Sequence, residues 1–174
     1  MSVLTEKMRG EIVELLPRYP HKQAVTLPAL HIVQDELHCV PREAVNDIAE
    51  ILELNPAQVE DTLSFYGFFR HEQRPLGRHR LWVCRSISCM LRGGEELLVE
   101  LCNRFGVKPG ETTADGRVTI EFAECLGMCE GAPCVLVGDE CYPNMTVDST
   151  MRLLDEVGGA QPTPAATGGT NGEV

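Results

Sequence analysis

The sequence lacks the features that mark exported, membrane-spanning or nucleic-acid-binding proteins. Its first ten residues mix charged and apolar side chains, without the apolar core of a secretory signal. No stretch approaches the roughly 20 apolar residues that span a bilayer. Basic residues number 15 against 26 acidic ones, a net charge of -11, and no basic cluster could neutralise phosphates. We therefore expect a cytoplasmic protein that neither inserts into a membrane nor binds nucleic acid.

Sequence motifs of several redox enzymes are also missing. No Cys-x-x-Cys occurs, so disulfide exchange is not expected. No Gly-x-Gly-x-x-Gly follows a predicted strand, so we expect no NADH or FMN site in this chain. A Rieske centre would need two histidine ligands, and all five histidines lie outside the paired cysteines described next.

Four of the eight cysteines form two closely spaced pairs. The first pair is Cys84-x4-Cys89 and the second is Cys125-x3-Cys129, with 35 residues between the pairs. In a reducing compartment, clustered cysteines more often bind metal or do redox chemistry than form disulfides. Soft thiolates on two short loops are typical ligands of a [2Fe-2S] cluster. The pattern favours electron transfer as the function and gives no catalytic residue.

Two other interpretations of the cysteines have to be weighed. Four thiolates also suit a tetrahedral zinc site, and the chain would then be a zinc-stapled interaction protein. Zinc pairs usually have Cys-x2-Cys spacing with about 15 to 20 residues between pairs, which this sequence fits poorly. Four disulfides in a secreted protein are disfavoured because no export signal is present.

The spacing leaves one ligand ambiguous. Cys129-x4-Cys134 repeats the spacing of the first pair, so Cys134 can replace one of the four by spacing alone. Its position after Pro133, at the start of an apolar run, favours a buried structural thiol instead.

Residues 1–75 are predicted to form a small helical bundle that docks a partner. Apolar residues recur at helical spacing, and prolines or an Asn55-Pro56 cap open three of the segments. The predicted helices end before Pro17 and span 29–38, 42–54 and 56–63. Four of the nine aromatic residues follow in segment 64–69, which we expect to wedge between the two domains or to contact a partner.

Residues 76–157 are predicted to form a second domain with a thioredoxin-like α/β sandwich. The pattern indicates strands at 80–83, 117–123, 134–137 and 140–142, with helices at 91–105 and 147–157. Each cysteine pair follows a strand, so both pairs should lie at one end of the sheet. Residues 158–174 are rich in Gly, Ala, Thr and Pro and are predicted to be a flexible tail.

Three segments carry a specific resemblance to a known family. VCRSISCMLRGGEEL at 83–97, GETTADG at 110–116 and ECLGMCEGAP at 124–133 resemble the thioredoxin-like [2Fe-2S] subunit of respiratory complex I, the E subunit of NADH-quinone oxidoreductase. The resemblance covers nearly the whole chain apart from the tail. It implies that Cys84, Cys89, Cys125 and Cys129 hold a [2Fe-2S] cluster.

The resemblance also implies a place in a larger enzyme. The chain would accept single electrons from FMN on an NADH-binding flavoprotein partner of the F type. It would be an oxidoreductase only as part of this complex, held with further subunits at the cytoplasmic face of the inner membrane. Similar subunits serve NAD-linked hydrogenases and formate dehydrogenases, and complex I is favoured here because no fused flavin or extra ferredoxin segment is seen.

Overall fold

The structure is a computed structural model that describes residues 2–159. The N-terminal part of the chain is helical. Two 3₁₀ turns connect the first helix to the second. Asn55 caps the last helix of this part: its side chain accepts from the Ala57 N–H at 2.9 Å, while the Gln58 side chain accepts from the Asn55 N–H at 3.0 Å. The four α-helices are α1 (Glu6–Leu15), α2 (Thr26–Leu37), α3 (Arg42–Leu52) and α4 (Pro56–Phe65).

The helices bury one continuous apolar core. Each contributes fully buried side chains, such as Ile12, Leu30, Ile48 and Leu63. Phe69, from the aromatic segment after α4, also belongs to this core, at 5% exposure. By contrast, Phe65 is 79% exposed. The aromatic segment therefore completes the helical core at one end and leaves one large ring on the surface at the other.

The N-terminal segment is fastened to α3 by Asp47. One carboxylate oxygen accepts hydrogen bonds from the Ser2 hydroxyl at 2.8 Å, the Val3 N–H at 2.9 Å and the Leu4 N–H at 3.3 Å. Partial burial opposes ionisation, but these hydrogen bonds and the Arg9 charge outweigh it and lower the pKa of Asp47.

We expect the stabilisation from Asp47 to be present at neutral pH and to be lost on acidification. A lowered native pKa means that this contribution is complete above the unfolded-state value of about 4 and fades as the pH falls through the lower native value. Urea unfolding should show Asp47→Asn less stable than wild type at neutral pH, with the difference shrinking in strong acid. Glu50→Gln, at an exposed position of the same helix, is the control. A difference that does not depend on pH would contradict the assignment.

The C-terminal part is a mixed five-stranded sheet with helices. The strands run in the order β2-β3-β1-β4-β5 across the sheet. β1 and β3 are parallel, and the other neighbouring pairs are antiparallel. In chain order the elements are β1 (His79–Cys84), α5 (Ile87–Leu91), α6 (Gly94–Phe105), β2 (Glu111–Thr112), β3 (Val118–Ala123), β4 (Val135–Val137), β5 (Glu140–Tyr142) and α7 (Val147–Gly159).

One face of the sheet carries the second apolar core. Leu81 of β1 aligns with Ile120 of β3 and Val137 of β4, so the three side chains leave the same face. Leu98 and Leu101 of α6 pack there and are fully buried. This core positions the ends of β1 and β3, from which the cysteine loops leave.

The helix predicted at 91–105 is wrong at its start. The structure has two helices there, because Leu91 ends α5 and α6 begins only at Gly94. Gly93 between them has a φ of 87°, which breaks the helical hydrogen-bond pattern. The two-residue strand β2 was not predicted. The last helix reaches Gly159, and the rest of the tail predicted at 158–174 lies outside the described residues.

A charged contact joins the two parts of the chain. The Glu121 carboxylate on β3 accepts hydrogen bonds from Arg70, which follows the aromatic segment, and from Arg80 on β1. Arg80 also donates to the Phe68 carbonyl at 2.7 Å, and Gln34 of α2 donates to the same carbonyl at 3.0 Å.

Within residues 2–159, none of the helices has both the length and the apolar character needed to cross a bilayer.

Candidate metal centre

The first cysteine pair is buried at the end of β1. Cys84 is its last residue, at 2% exposure, and Cys89 lies in α5 at 1%. The five-residue helix α5 turns the chain back so that both sulfurs lie close together. The second pair lies in the loop after β3, and both Cys125 and Cys129 are exposed.

The second loop holds its two sulfurs at metal-binding distance. The Sγ atoms of Cys125 and Cys129 are 3.7 Å apart. Gly127 between them adopts a φ of 80°, which residues with a side chain rarely tolerate and which closes the turn. Two thiolates bound to one tetrahedral metal at about 2.3 Å are about 3.8 Å apart. The loop is therefore already shaped for one metal ion.

The two loops adjoin, as the strand pattern predicted. Burial disfavours a Cys84 thiolate, but hydrogen bonds from the backbone N–H groups of Leu126 and Ser86 outweigh it and lower its pKa. Cys84 pairs with Ala123 at the ends of the parallel strands β1 and β3, so the loops that carry the two cysteine pairs leave the same end of the sheet. Backbone donors aimed at ligand sulfurs are typical of iron–sulfur sites.

The sequence predicted that Cys134 is a buried structural thiol, but the structure places it beside the first cysteine pair. It is buried, as expected, at 1% exposure. Its sulfur is 3.7 Å from that of Cys89, and the sulfurs of Cys84, Cys89 and Cys134 all lie within 4.8 Å of one another. Burial raises the pKa of both Cys134 and Cys89. The repeated x4 spacing was the only signal in the sequence that pointed to this third thiol.

The donor set fits a [2Fe-2S] cluster. All the grouped donors are thiols, which suit iron with bridging sulfide. Two pairs from two adjoining loops can supply two ligands to each of two iron atoms. All eight cysteines are free, so no disulfide competes for these sulfurs.

Gly94 lets the two halves of the first cysteine loop pack closely. A Cβ atom at this position would lie 2.8 Å from the Cys84 carbonyl oxygen and 2.9 Å from that of Cys89. Real Cβ atoms do not approach backbone atoms so closely, so the loop would have to move. The start of α6 thereby fixes the spacing of the buried cysteines.

We expect Gly94→Ala to lower stability by about 1–3 kcal/mol, the usual cost of overpacking, and to reduce the iron content of the purified chain. Chemical denaturation and iron analysis would measure the two effects. Gly10→Ala in α1 is the matched control, since its added Cβ would meet no atom within 4 Å. Unchanged iron content in Gly94→Ala would show that the loop can adjust.

The fold and the grouped thiols define a thioredoxin-like protein with a cluster of cysteines that could hold a metal. The family model for the thioredoxin-like [2Fe-2S] ferredoxin matches residues 12–158. The chain belongs to this family. The fold class predicted from the sequence, a helical bundle followed by a thioredoxin-like [2Fe-2S] domain, is confirmed.

Relatives along most of the chain are named as E subunits of NADH-quinone oxidoreductase. The chain is 38% identical over 154 residues to the second E subunit of NADH-quinone oxidoreductase from Rhizobium meliloti, covering 88% of this chain and 90% of the relative. It is 36% identical over 137 residues to the E subunit of NADH-quinone oxidoreductase from Aquifex aeolicus, covering 79% and 84%. These matches confirm the resemblance drawn from the three sequence segments.

A solved structure with the same fold comes from a different enzyme. An NAD+-reducing [NiFe]-hydrogenase in the H2-reduced state superposes with a TM-score of 0.66 at 26% identity. The match covers 79% of this chain but only 22% of the hydrogenase chain. The shared region is thus a small part of that larger protein.

Proposed function

We propose that this chain is the electron-transfer [2Fe-2S] subunit of NADH-quinone oxidoreductase, with Cys84, Cys89, Cys125 and Cys129 as the cluster ligands. The observation that carries the proposal is the meeting of the two cysteine loops at one end of a thioredoxin-like sheet. Relatives named as E subunits of this enzyme align along most of the chain. The chain would be part of an oxidoreductase and not an enzyme alone.

The residues around the sulfurs suit a one-electron carrier. The cluster, when bound, takes up and releases one electron at a time. Burial of Cys84 and Cys89 keeps water from one side of the site. The N–H groups of Ser86 and Leu126 stabilise negative charge on the Cys84 sulfur, and such donors raise the reduction potential.

The exposed side of the site is suited to electron exchange with a partner. Cys125 and Cys129 reach the surface, so a partner's redox group can approach the sulfurs without unfolding the chain. We propose that this partner is the FMN- and NADH-binding flavoprotein of the complex, which would oxidise NADH and pass single electrons to this chain. The complex would hold the chain at the cytoplasmic face of the inner membrane, and eight free thiols agree with a reducing compartment.

Electron paramagnetic resonance of the anaerobically purified chain tests the cofactor. A signal that appears only after reduction with dithionite, together with iron and acid-labile sulfide in equal amounts, is expected. A silent sample that contains zinc would show that the thiolates form a structural site, and the electron-transfer proposal would be wrong.

One observation supports a second candidate for the enzyme assembly that contains this chain. The structural match to an NAD+-reducing hydrogenase makes such a hydrogenase the alternative assembly for this chain. Purification of the native assembly distinguishes the two hosts: quinone-dependent NADH oxidation supports complex I, and hydrogen-dependent NAD+ reduction supports the hydrogenase.

We also propose that residues 1–75 act as the docking module and residues 76–157 as the cluster domain. Phe65 is the most exposed large apolar side chain of the described residues, at 79%, and it lies at the end of α4 in the helical part. A ring this exposed is suited to an interface with another protein of the complex. Deleting residues 1–63 is a poor test of docking. Phe69 packs in the helical core, so the deletion would also expose its side chain in the remaining chain.

We expect Phe65→Ser to weaken co-purification with the flavoprotein while leaving the cluster spectrum unchanged, because only a surface contact is lost. Pull-down of the flavoprotein by the tagged chain measures this. Val99→Ser, at a 52% exposed position on α6, is the matched control for a lost surface apolar group. If only the Val99 variant loses the partner, the interface lies on the cluster domain.

A further inference from the structure

Cys84, the last residue of β1, lies opposite Cys134, the residue directly before β4. Val83 of β1 pairs with Val135 of β4, and the antiparallel register continues one residue further. The Cys84 N–H donates to the Cys134 carbonyl at 3.2 Å. Residues directly opposite each other in an antiparallel pair place their side chains on the same face, with Cβ atoms about 4.5–5.5 Å apart. Cys134 therefore presents its thiol to the same space as Cys84.

The sulfur of Cys134 also lies at a ligand's distance from Cys89. Their separation of 3.7 Å equals that of Cys125 and Cys129, the pair already shaped for one metal ion. The Cys84 sulfur lies within 4.8 Å of both the Cys89 and the Cys134 sulfur, so the three groups surround one point. Cys89 therefore has two neighbouring thiols: Cys84 at the end of β1 and Cys134 just before β4.

We propose that Cys134 is a reserve ligand of the centre, able to replace Cys84 and to bind one iron together with Cys89. The inference rests on the proposed [2Fe-2S] function. In the exchange, the bond from iron to the Cys84 sulfur breaks and one to the Cys134 sulfur forms. The Cys134 thiol releases its proton, the freed Cys84 thiolate takes one up, and no electron is transferred.

The exposed half of the centre has no such reserve. In residues 2–159, which include all eight cysteines, Cys84, Cys89 and Cys134 are the only group of three or more candidate ligand side chains with all ligand atoms within 4.8 Å. Among these residues, no third His, Cys, Asp or Glu places a ligand atom within 4.8 Å of both the Cys125 and the Cys129 sulfur. The two halves of the site should therefore respond differently to the loss of one thiol.

The test compares single and double substitutions in the full-length chain, reconstituted anaerobically with iron and sulfide. Cys84→Ala should retain iron and acid-labile sulfide near the wild-type level, with a shifted paramagnetic resonance spectrum, because the ligand geometry changes. Cys84→Ala combined with Cys134→Ala should lose the cluster. Cys125→Ala should lose it as a single change, and Cys134→Ala alone should keep the wild-type spectrum.

Two outcomes would overturn the inference. One is loss of the cluster in Cys84→Ala as complete as in Cys125→Ala, and the other is retention in the double variant. Circular dichroism checks the fold, with Cys102→Ala as the control for a buried thiol outside the site. If the alanine variants do not fold, Cys84→Val with and without Cys134→Ala gives the same comparison, since valine nearly matches cysteine in size and offers no ligand atom. A wild-type chain that takes up no iron and sulfide would instead refute the proposed function itself.

Discussion

Replacing Cys129 with alanine should abolish the reducible centre while leaving the fold intact. The Cys129 sulfur forms a 3.7 Å pair with Cys125, and among the described cysteines no third sulfur lies within 4.8 Å of both atoms. An iron atom left with one thiolate in an exposed loop would be lost to solvent. We expect loss of nearly all iron and of the signal seen after reduction, measured by metal analysis and electron paramagnetic resonance.

The exposed position of Cys129 makes the expectation specific. Its side chain is outside both apolar cores, so thermal unfolding of the metal-free chains should be nearly the same for the variant and the wild type. Cys39→Ala, at a buried position before α3 in the helical part, is the control and should keep the full iron content. A Cys129→Ala chain with wild-type iron, sulfide and spectrum would remove Cys129 from the ligand set.

Replacing Glu121 with alanine should produce a large loss of stability. Glu121 is 7% exposed and binds both Arg70 and Arg80, whose side chains are 19% and 15% exposed. Burial lowers the pKa of Arg80, and the Glu121 contact counteracts that effect. Removing the carboxylate leaves two mostly buried guanidinium groups without their counter-charge. The cost should be about 3–5 kcal/mol in the free energy of unfolding.

The chain supplies a matched surface pair for comparison. Glu124, three residues further on, pairs with Arg85, but their side chains are 77% and 50% exposed. Glu124→Ala should cost less than about 1 kcal/mol, as exposed ion pairs do. Urea unfolding of the metal-free chain would measure both variants. Equal losses would mean that the Glu121 contact does not join the two parts as the structure indicates.

Elements with strong local signals were predicted well. The Asn55-Pro56 cap, the apolar periodicity of α3 and the β3 alternation correspond to observed elements within a few residues. The break between α5 and α6 was missed because the apolar spacing of a helix continues from Leu91 past Gly93, so the sequence predicts one helix where the structure has two. The strand β2 was missed because two residues carry no periodicity, and its pairing with β3 comes from tertiary contact.

The sequence by itself determined the family, through the resemblance of three segments, and it determined the paired cysteines and the end of the sheet to which they belong, through spacing and the strand pattern. Only the tertiary structure decided that Cys134 joins Cys84 and Cys89, that Glu121 links Arg70 to Arg80, and that Gly94 must lack a side chain. The first two depend on segments from distant parts of the sequence meeting across the sheet, and the third depends on how the chain folds back from Cys84 to the start of α6. Spacing within one segment cannot specify such a contact, since it depends on strand order and register.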